Sequence, residues 1–141
     1  EYDFKHLEKL PYLENLDLTN TEIIGADLVH LRGLQNLRYL SLWKTEIDDT
    51  GLVHLKGLTK LWALILDETE VTDAGLIHLK GLTNLEEWLG LTHTLITDAR
   101  LRHLKGLTKL RSLNLRFTEV TSVGVKELRL ALPKTDISYD R

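Results

Sequence analysis

Five stretches of this chain repeat one another at a nearly constant spacing, and that repetition constrains the fold more than any other feature. From Leu13 the chain reads LENLDLTNTEIIGADLVHLRGLQN, and from Leu37 LRYLSLWKTEIDDTGLVHLKGLTK. The next units are LWALILDETEVTDAGLIHLKGLTN from Leu61 and LEEWLGLTHTLITDARLRHLKGLTK from Leu85. The last, from Leu110, is LRSLNLRFTEVTSVGVKELRLALP, so successive offsets are 24, 24, 24 and 25 residues. The first half of each unit, LxxLxLxxT, alternates apolar and polar residues, which predicts a short strand. The second half spaces its leucines three apart, as in Leu76, Leu79 and Leu82, which predicts one face of a short helix. Thr72-Asp73 and Thr97-Asp98 stand where an N-cap belongs. Gly33, Gly57, Gly81 and Gly106 are expected to end each helix as left-handed residues.

A strand, a helix and a return to a parallel strand make a right-handed crossover. Stacked units therefore give a parallel sheet on one side and helices on the other. Neighbouring strands sit about 4.7–4.9 Å apart, whereas packed helices need about 8–10 Å. The array must bend with its sheet on the inside, leaving a concave strand face whose side chains the core does not need.

The expected division is one domain over 1–141, with a partial N-terminal repeat at 1–12 and repeats at 13–36, 37–60, 61–84, 85–109 and 110–133. Residues 134–141 form a cap tail. Phe4, Leu7 and Leu10 match Leu28, Leu31 and Leu34, so the chain begins inside the helical half of a unit. It opens at Glu1 rather than Met, which reads as a processed, trimmed or excised start. At the other end the Gly stop is missing, and Lys126, Glu127 and Arg129 supply the polar outer side that a terminal unit needs.

The TxITDxGLxHLKGLTxL pattern, carried by residues 69–85 as TEVTDAGLIHLKGLTNL, resembles bacterial leucine-rich-repeat proteins. Arrays of that family often end in a tail like Ala131–Ile137, and the resemblance covers residues 4–141. It implies an α/β, right-handed leucine-rich-repeat solenoid, with a parallel β-sheet on the concave side and short helices on the convex side. It also implies a horseshoe-type binding scaffold, without naming a partner. One departure is that Thr21, Thr45, Thr69, Thr94 and Thr118 stand where many such repeats have Asn. A threonine hydroxyl can serve the turn backbone there, in a ladder expected to be weaker.

Composition excludes several function classes. The net charge of −3 offers no bulk field for nucleic acid or an anionic membrane. No cysteine is present, which removes disulfides, thiol chemistry and Cys-ligated zinc. No apolar run approaches the roughly 20 residues of a membrane span, and no signal peptide is visible. Ser41, Ser112, Ser122 and Ser138 lack an evident His and Asp partner, and neither a Gly-x-Ser-x-Gly elbow nor a phosphate-cradling loop occurs. The carboxylate pairs Asp48-Asp49 and Glu86-Glu87 are in-line neighbours that point apart or cap helices. The chain reads as non-catalytic, with no cofactor and no metal.

Repetition turns single residues into columns. His6, His30, His54, His78 and His103 form one, and metal binding is its sharp reading. Backbones about 8–10 Å apart and the lack of a second recurring ligand favour rings packed between helices instead. Arg32, Lys56, Lys80 and Lys105 make a basic row near the helix ends, suited to the helix dipole. Glu22, Glu46, Glu70 and Glu119 form an acidic row after the strands.

On the concave face three columns run across the units: Asn15, Tyr39, Ala63, Trp88, Ser112; then Asp17, Ser41, Ile65, Gly90, Asn114; then Thr19, Trp43, Asp67, Thr92, Arg116. Aromatics avoid the leucine positions and gather here, with Trp62 and Phe117 at the edges. Exposed Trp and Tyr are favoured anchors of binding surfaces. Repeat four carries one extra residue, and alignment of LEE with LGL makes it Trp88. One register keeps Leu89 and Leu91 inside and turns Trp88 into the hollow through a bulge. The other buries Trp88 and expels Leu89, which would overpack a leucine ladder.

Ala63 would then lie between Tyr39 and Trp88, in a gap of about 9.5 Å, as a notch beside Ser41 and Gly90. The expected partner site is Tyr39, Trp43, Ala63, Ile65, Asp67, Trp88 and Arg116, with the charged residues as a polar rim for a protein or peptide. Competing readings are a structural or engineered array without its own ligand, and a fragment that self-associates weakly through its exposed first repeat.

Overall fold

A computed structural model describes residues 3–140; Glu1, Tyr2 and Arg141, which the expected first repeat and tail include, lie outside the described residues. The strand halves form β1 (Asn15–Asp17), β2 (Tyr39–Ser41), β3 (Ala63–Ile65), β4 (Trp88–Gly90), β5 (Ser112–Asn114) and β6 (Asp136–Ser138). They make one parallel sheet in chain order. The central residue of each strand points into the core: Leu40, Leu64, Leu89, Leu113 and Ile137 are buried, and so are the leucines two residues after the first four. A fully buried leucine is stabilising by about 1.5–3 kcal/mol, so this ladder is the main force holding the repeats in register.

The helical halves are mostly 3₁₀ rather than α: Phe4–Lys9, Gly25–Leu31, Val53–Leu55, Asp73–Leu79 and Asp98–Leu104, with a short α-helical stretch, Asp49–Leu52, leading into the third. The leucine spacing accounts for this. A 3₁₀ helix has three residues per turn, so residues i and i+3 eclipse. Leu28 with Leu31, and Leu76 with Leu79, thereby face the core together and are fully buried. The last repeat differs. Val125, Leu128 and Leu132 are spaced three and four apart, and this segment is a ten-residue α-helix, Ser122–Ala131. Lys126, Glu127 and Arg129 face solvent from it.

The glycine expectation is corrected. Among the described residues no glycine has a positive φ. Gly33, Gly57, Gly81 and Gly106 sit inside a continuing right-handed turn, closed by Leu34, Leu58, Leu82 and Leu107 amides donating to carbonyls three residues earlier. A Cβ at these four glycines would meet nothing within 4 Å. The left-handed residues lie instead after each strand: Asn20, Lys44, Glu68, His93 and Phe117, at φ between 52° and 58°. The threonine column completes that turn. Thr21, Thr45, Thr69, Thr94 and Thr118 each donate a hydroxyl hydrogen bond to the carbonyl three residues back, at 2.6–2.8 Å.

Thr72 and Thr97 cap their helices as expected, accepting from the Ala74 and Ala99 amides. The aspartate after each cap residue (Asp48, Thr72 and Thr97) has a separate task. Asp49 accepts from both the amide and the hydroxyl of Thr72 in the following repeat. Asp73 does the same for Thr97, and Asp98 for Thr121. Room for these carboxylates comes from Gly75 and Gly124, where a Cβ would fall 2.4 and 2.2 Å from the Asp49 and Asp98 oxygens. Repeat four has Arg100 in that column, and its backbone leaves the helical region there, at φ −126°, ψ 15°.

Candidate functional site

The concave columns are built as the strand alternation requires. With Leu64 and Leu89 paired and inward, Ala63 pairs with Trp88 and Ile65 with Gly90 on the opposite face. Trp88 is 37% exposed while Leu89 and Leu91 are fully buried, so the indole lies in the hollow and not under the sheet. The extra residue of repeat four is not Trp88, however. The amides of Glu86 and Glu87 both donate to the Trp62 carbonyl, and Arg111 donates to the Glu86 carbonyl. Glu86 is therefore level with Trp62 and Arg111, and Trp88 with Ala63 and Ser112, which leaves Glu87 as the bulged residue. A bulge before the strand keeps the leucine ladder intact, whereas one within it would break the ladder.

The expected site residues come together on this face with unequal accessibility. Trp43 is 42% exposed, and Tyr39 and Ile65 are half-buried. Ala63 is only 8% exposed, lying low between Tyr39 and Trp88 on the neighbouring strands. Ser41 is buried, its hydroxyl 2.8 Å from that of Thr19. Asp67 is not an exposed rim residue: it is 8% exposed, and its Oδ2 accepts from the Thr92 amide at 3.0 Å and hydroxyl at 2.6 Å. Arg116 is exposed, 3.5 Å from an Asp140 oxygen and over the Phe117 ring.

The two edges carry features that strand alternation alone does not locate. On the edge where the chain enters the strands, the Trp62 indole N–H donates to Glu86 at 3.0 Å. It lies in a groove with Arg38, Lys60, Asn84 and Lys109. Lys60 donates to Asn36, and Lys109 to Asn84, so the side chains of successive repeats are tied together. On the opposite edge His93 stacks on Phe117 with ring centroids 4.4 Å apart. Both are left-handed turn residues, a position that faces solvent.

The histidine column lies in the last turns of the helices. His54 Nδ1 accepts from Arg32 Nε at 2.7 Å, which requires the neutral ring. Burial, reinforced by the Arg32 charge, holds its pKa below the ordinary imidazole value. Burial and then the cations Arg102, Lys80 and Arg100 do the same to His103. His30 contacts Glu8 at 2.9 Å. The column thus makes contacts between repeats.

The sequence signature of the family described as Leucine Rich repeat matches residues 106–128. Among curated proteins no sequence matches the chain. Solved structures do. An internalin from Listeria monocytogenes shares 25% identity and a TM-score of 0.81 over 99% of this chain and 38% of its own. Internalin C2 from the same organism shares 27% identity and a TM-score of 0.83 over 98% of this chain and 56% of its own. A leucine-rich-repeat protein of Leptospira interrogans has the same fold at 20% identity, with a TM-score of 0.66 over 94% of this chain and 38% of its own. The chain thus spans from about two fifths to just over half the length of these relatives. Domains of this kind are typically protein-binding modules and generally non-catalytic. The fold is a leucine-rich-repeat solenoid, and the array is similar to the repeat domains of the internalins.

Proposed function

We propose that this chain is a non-catalytic recognition module that binds a protein or peptide through the aromatic concave face of repeats two to four. The observation that carries the reading is the exposure of Trp43 and Trp88 on that face, at 42% and 37%. These indoles stay in contact with water while the core positions beneath the strands are filled by leucine and isoleucine. They offer a large rigid area to a partner, at little cost in side-chain entropy. Tyr39 and Ile65 extend the surface, and Ala63 is the small residue between Tyr39 and Trp88. Arg116 gives it a charged margin.

Selection of a random peptide library on the immobilised chain tests the reading. Selected peptides should lose at least tenfold in affinity on Trp43→Ala/Trp88→Ala and on Tyr39→Ala. They should bind Tyr12→Ala normally, because Tyr12 is exposed away from the three columns. Peptides indifferent to all of the concave substitutions would overturn it.

A further inference from the structure

The concave face leaves one buried charge without a counter-ion. Asp67 is 8% exposed, and its Oδ2 is occupied by the Thr92 amide and hydroxyl. Its Oδ1 accepts no hydrogen bond, and no basic side chain among the described residues pairs with the carboxylate. Every fully buried side-chain oxygen among the described residues has a partner, so this oxygen reaches solvent. A carboxylate held through one oxygen, with its other oxygen open at the surface, is a fixed acceptor for a charge-assisted hydrogen bond from a partner cation.

The surroundings define what would complete it. Both Asp67 Oδ1 and Trp88 Nε1 lie within 2.7 Å of the point that a Gly90 Cβ would occupy. The open oxygen therefore leans over Gly90 toward the Trp88 indole, and any larger residue at Gly90 would cover it. On the other side Trp43 is level with Asp67 one strand away, since Leu42 and Lys44 donate to the carbonyls of Ile65 and Asp67. The oxygen thus lies beside the exposed Trp88 indole, with the exposed Trp43 level on the neighbouring strand. Nearby native cations are engaged elsewhere: the Lys44 ammonium sits over the Trp43 ring at 5.3 Å, and Arg116 is turned to Asp140 and Phe117.

We propose that this position receives an arginine side chain of the partner. A guanidinium donates to Asp67 Oδ1 and lays its flat, weakly hydrated face against an indole, which a compact ammonium does less well. Thr92 orients the carboxylate from behind, so the acceptor is fixed before the partner arrives. This rests on the concave face being the recognition surface, and it adds the chemistry that the aromatics alone do not specify.

The test is an NMR titration of the isotope-labelled chain with N-acetyl-arginine amide and with its neutral isostere N-acetyl-citrulline amide. The arginine probe should shift the Trp88 indole N–H and the Thr92 amide saturably, leave the Trp62 indole on the outer edge unmoved, and be at least tenfold tighter than citrulline. Asp67→Asn, which keeps an oxygen for Thr92, should weaken the arginine probe at least tenfold. Equal response to citrulline, unchanged affinity in the variant, or no shift at Trp88 and Thr92 would each overturn the proposal. The two wild-type titrations decide the matter even if the variant folds poorly. Selected peptides that fail on Trp88→Ala yet bind Asp67→Asn normally would remove the arginine and leave the recognition face standing.

Discussion

Asp73 opens one helix, but its carboxylate serves the next repeat, where it takes the amide and the hydroxyl of Thr97. Removing it leaves both donors without that partner in a half-buried joint, at a cost of about 1–3 kcal/mol. Asp73→Ala should therefore lower the urea midpoint markedly, whereas Asp73→Asn, which keeps one acceptor oxygen, should lower it less. Equal midpoints for wild type and Asp73→Ala would show that the joint contributes nothing. The role was illegible from sequence because the partner is 24 residues away. Read locally, an aspartate after a capping threonine is only a favourable charge at a helix start. Asp67 was misread for a related reason. Strand alternation placed it on the concave face, but the bonds that bury its carboxylate come from Thr92, 25 residues on. The Trp88 orientation was legible because only one register keeps Leu89 and Leu91 inside.

At the scale of the element, the leucine period decides helix type more firmly than propensity does. Spacing of three goes with 3₁₀ turns, apart from the four-residue α-turn Asp49–Leu52 that opens the helix of repeat two, and a mixed three-and-four spacing goes with the α-helix Ser122–Ala131. The glycine that follows each of the first four full-repeat helices looked like a left-handed stop. Instead the turn tightens and runs on, so the glycine is conformationally ordinary. Gly81→Ala should then stabilise the chain by about 0.4–1 kcal/mol, by restricting the unfolded state alone. A left-handed glycine would give the opposite sign, so one thermal melt separates the two. The position of the bulge was equally hidden. Glu87 is identified by the pairing of Ala63 with Trp88 together with the bonds that level Glu86 with Trp62 and Arg111, since a single added residue leaves the letters of LEEWLGL alignable in more than one way.

For the whole molecule, the repeat period and the leucine ladder made the solenoid legible in full, because each unit can bury its apolar side only against its neighbours. The same nearest-neighbour logic predicts uneven stability. Leu16 is half-buried while its counterparts Leu40, Leu64 and Leu89 are fully buried. The Leu18 amide, bonded to Ser41, should exchange with deuterium faster than those of Leu66 and Leu91, bonded to Gly90 and Asn114. Uniform protection across these amides would instead indicate one all-or-none unit. The aspartate–threonine joints have a further meaning for how such an array can lengthen. Repeat three carries both halves of the coupling, Thr72 to be received and Asp73 to receive, together with Gly75 to admit the carboxylate. A duplicate of residues 61–84 spliced after the original would leave every helix-start coupling mated, while setting a second Asp67 where the first now meets Thr92, and would move the segments on either side one strand further apart. Repeat one offers Ile24 at the receiving position and Gly25 where the aspartate belongs, so its duplicate would break the series if inserted anywhere between repeats two and five. The chain is in this sense a set of parts with different interchangeability, and its middle is the part that can be copied.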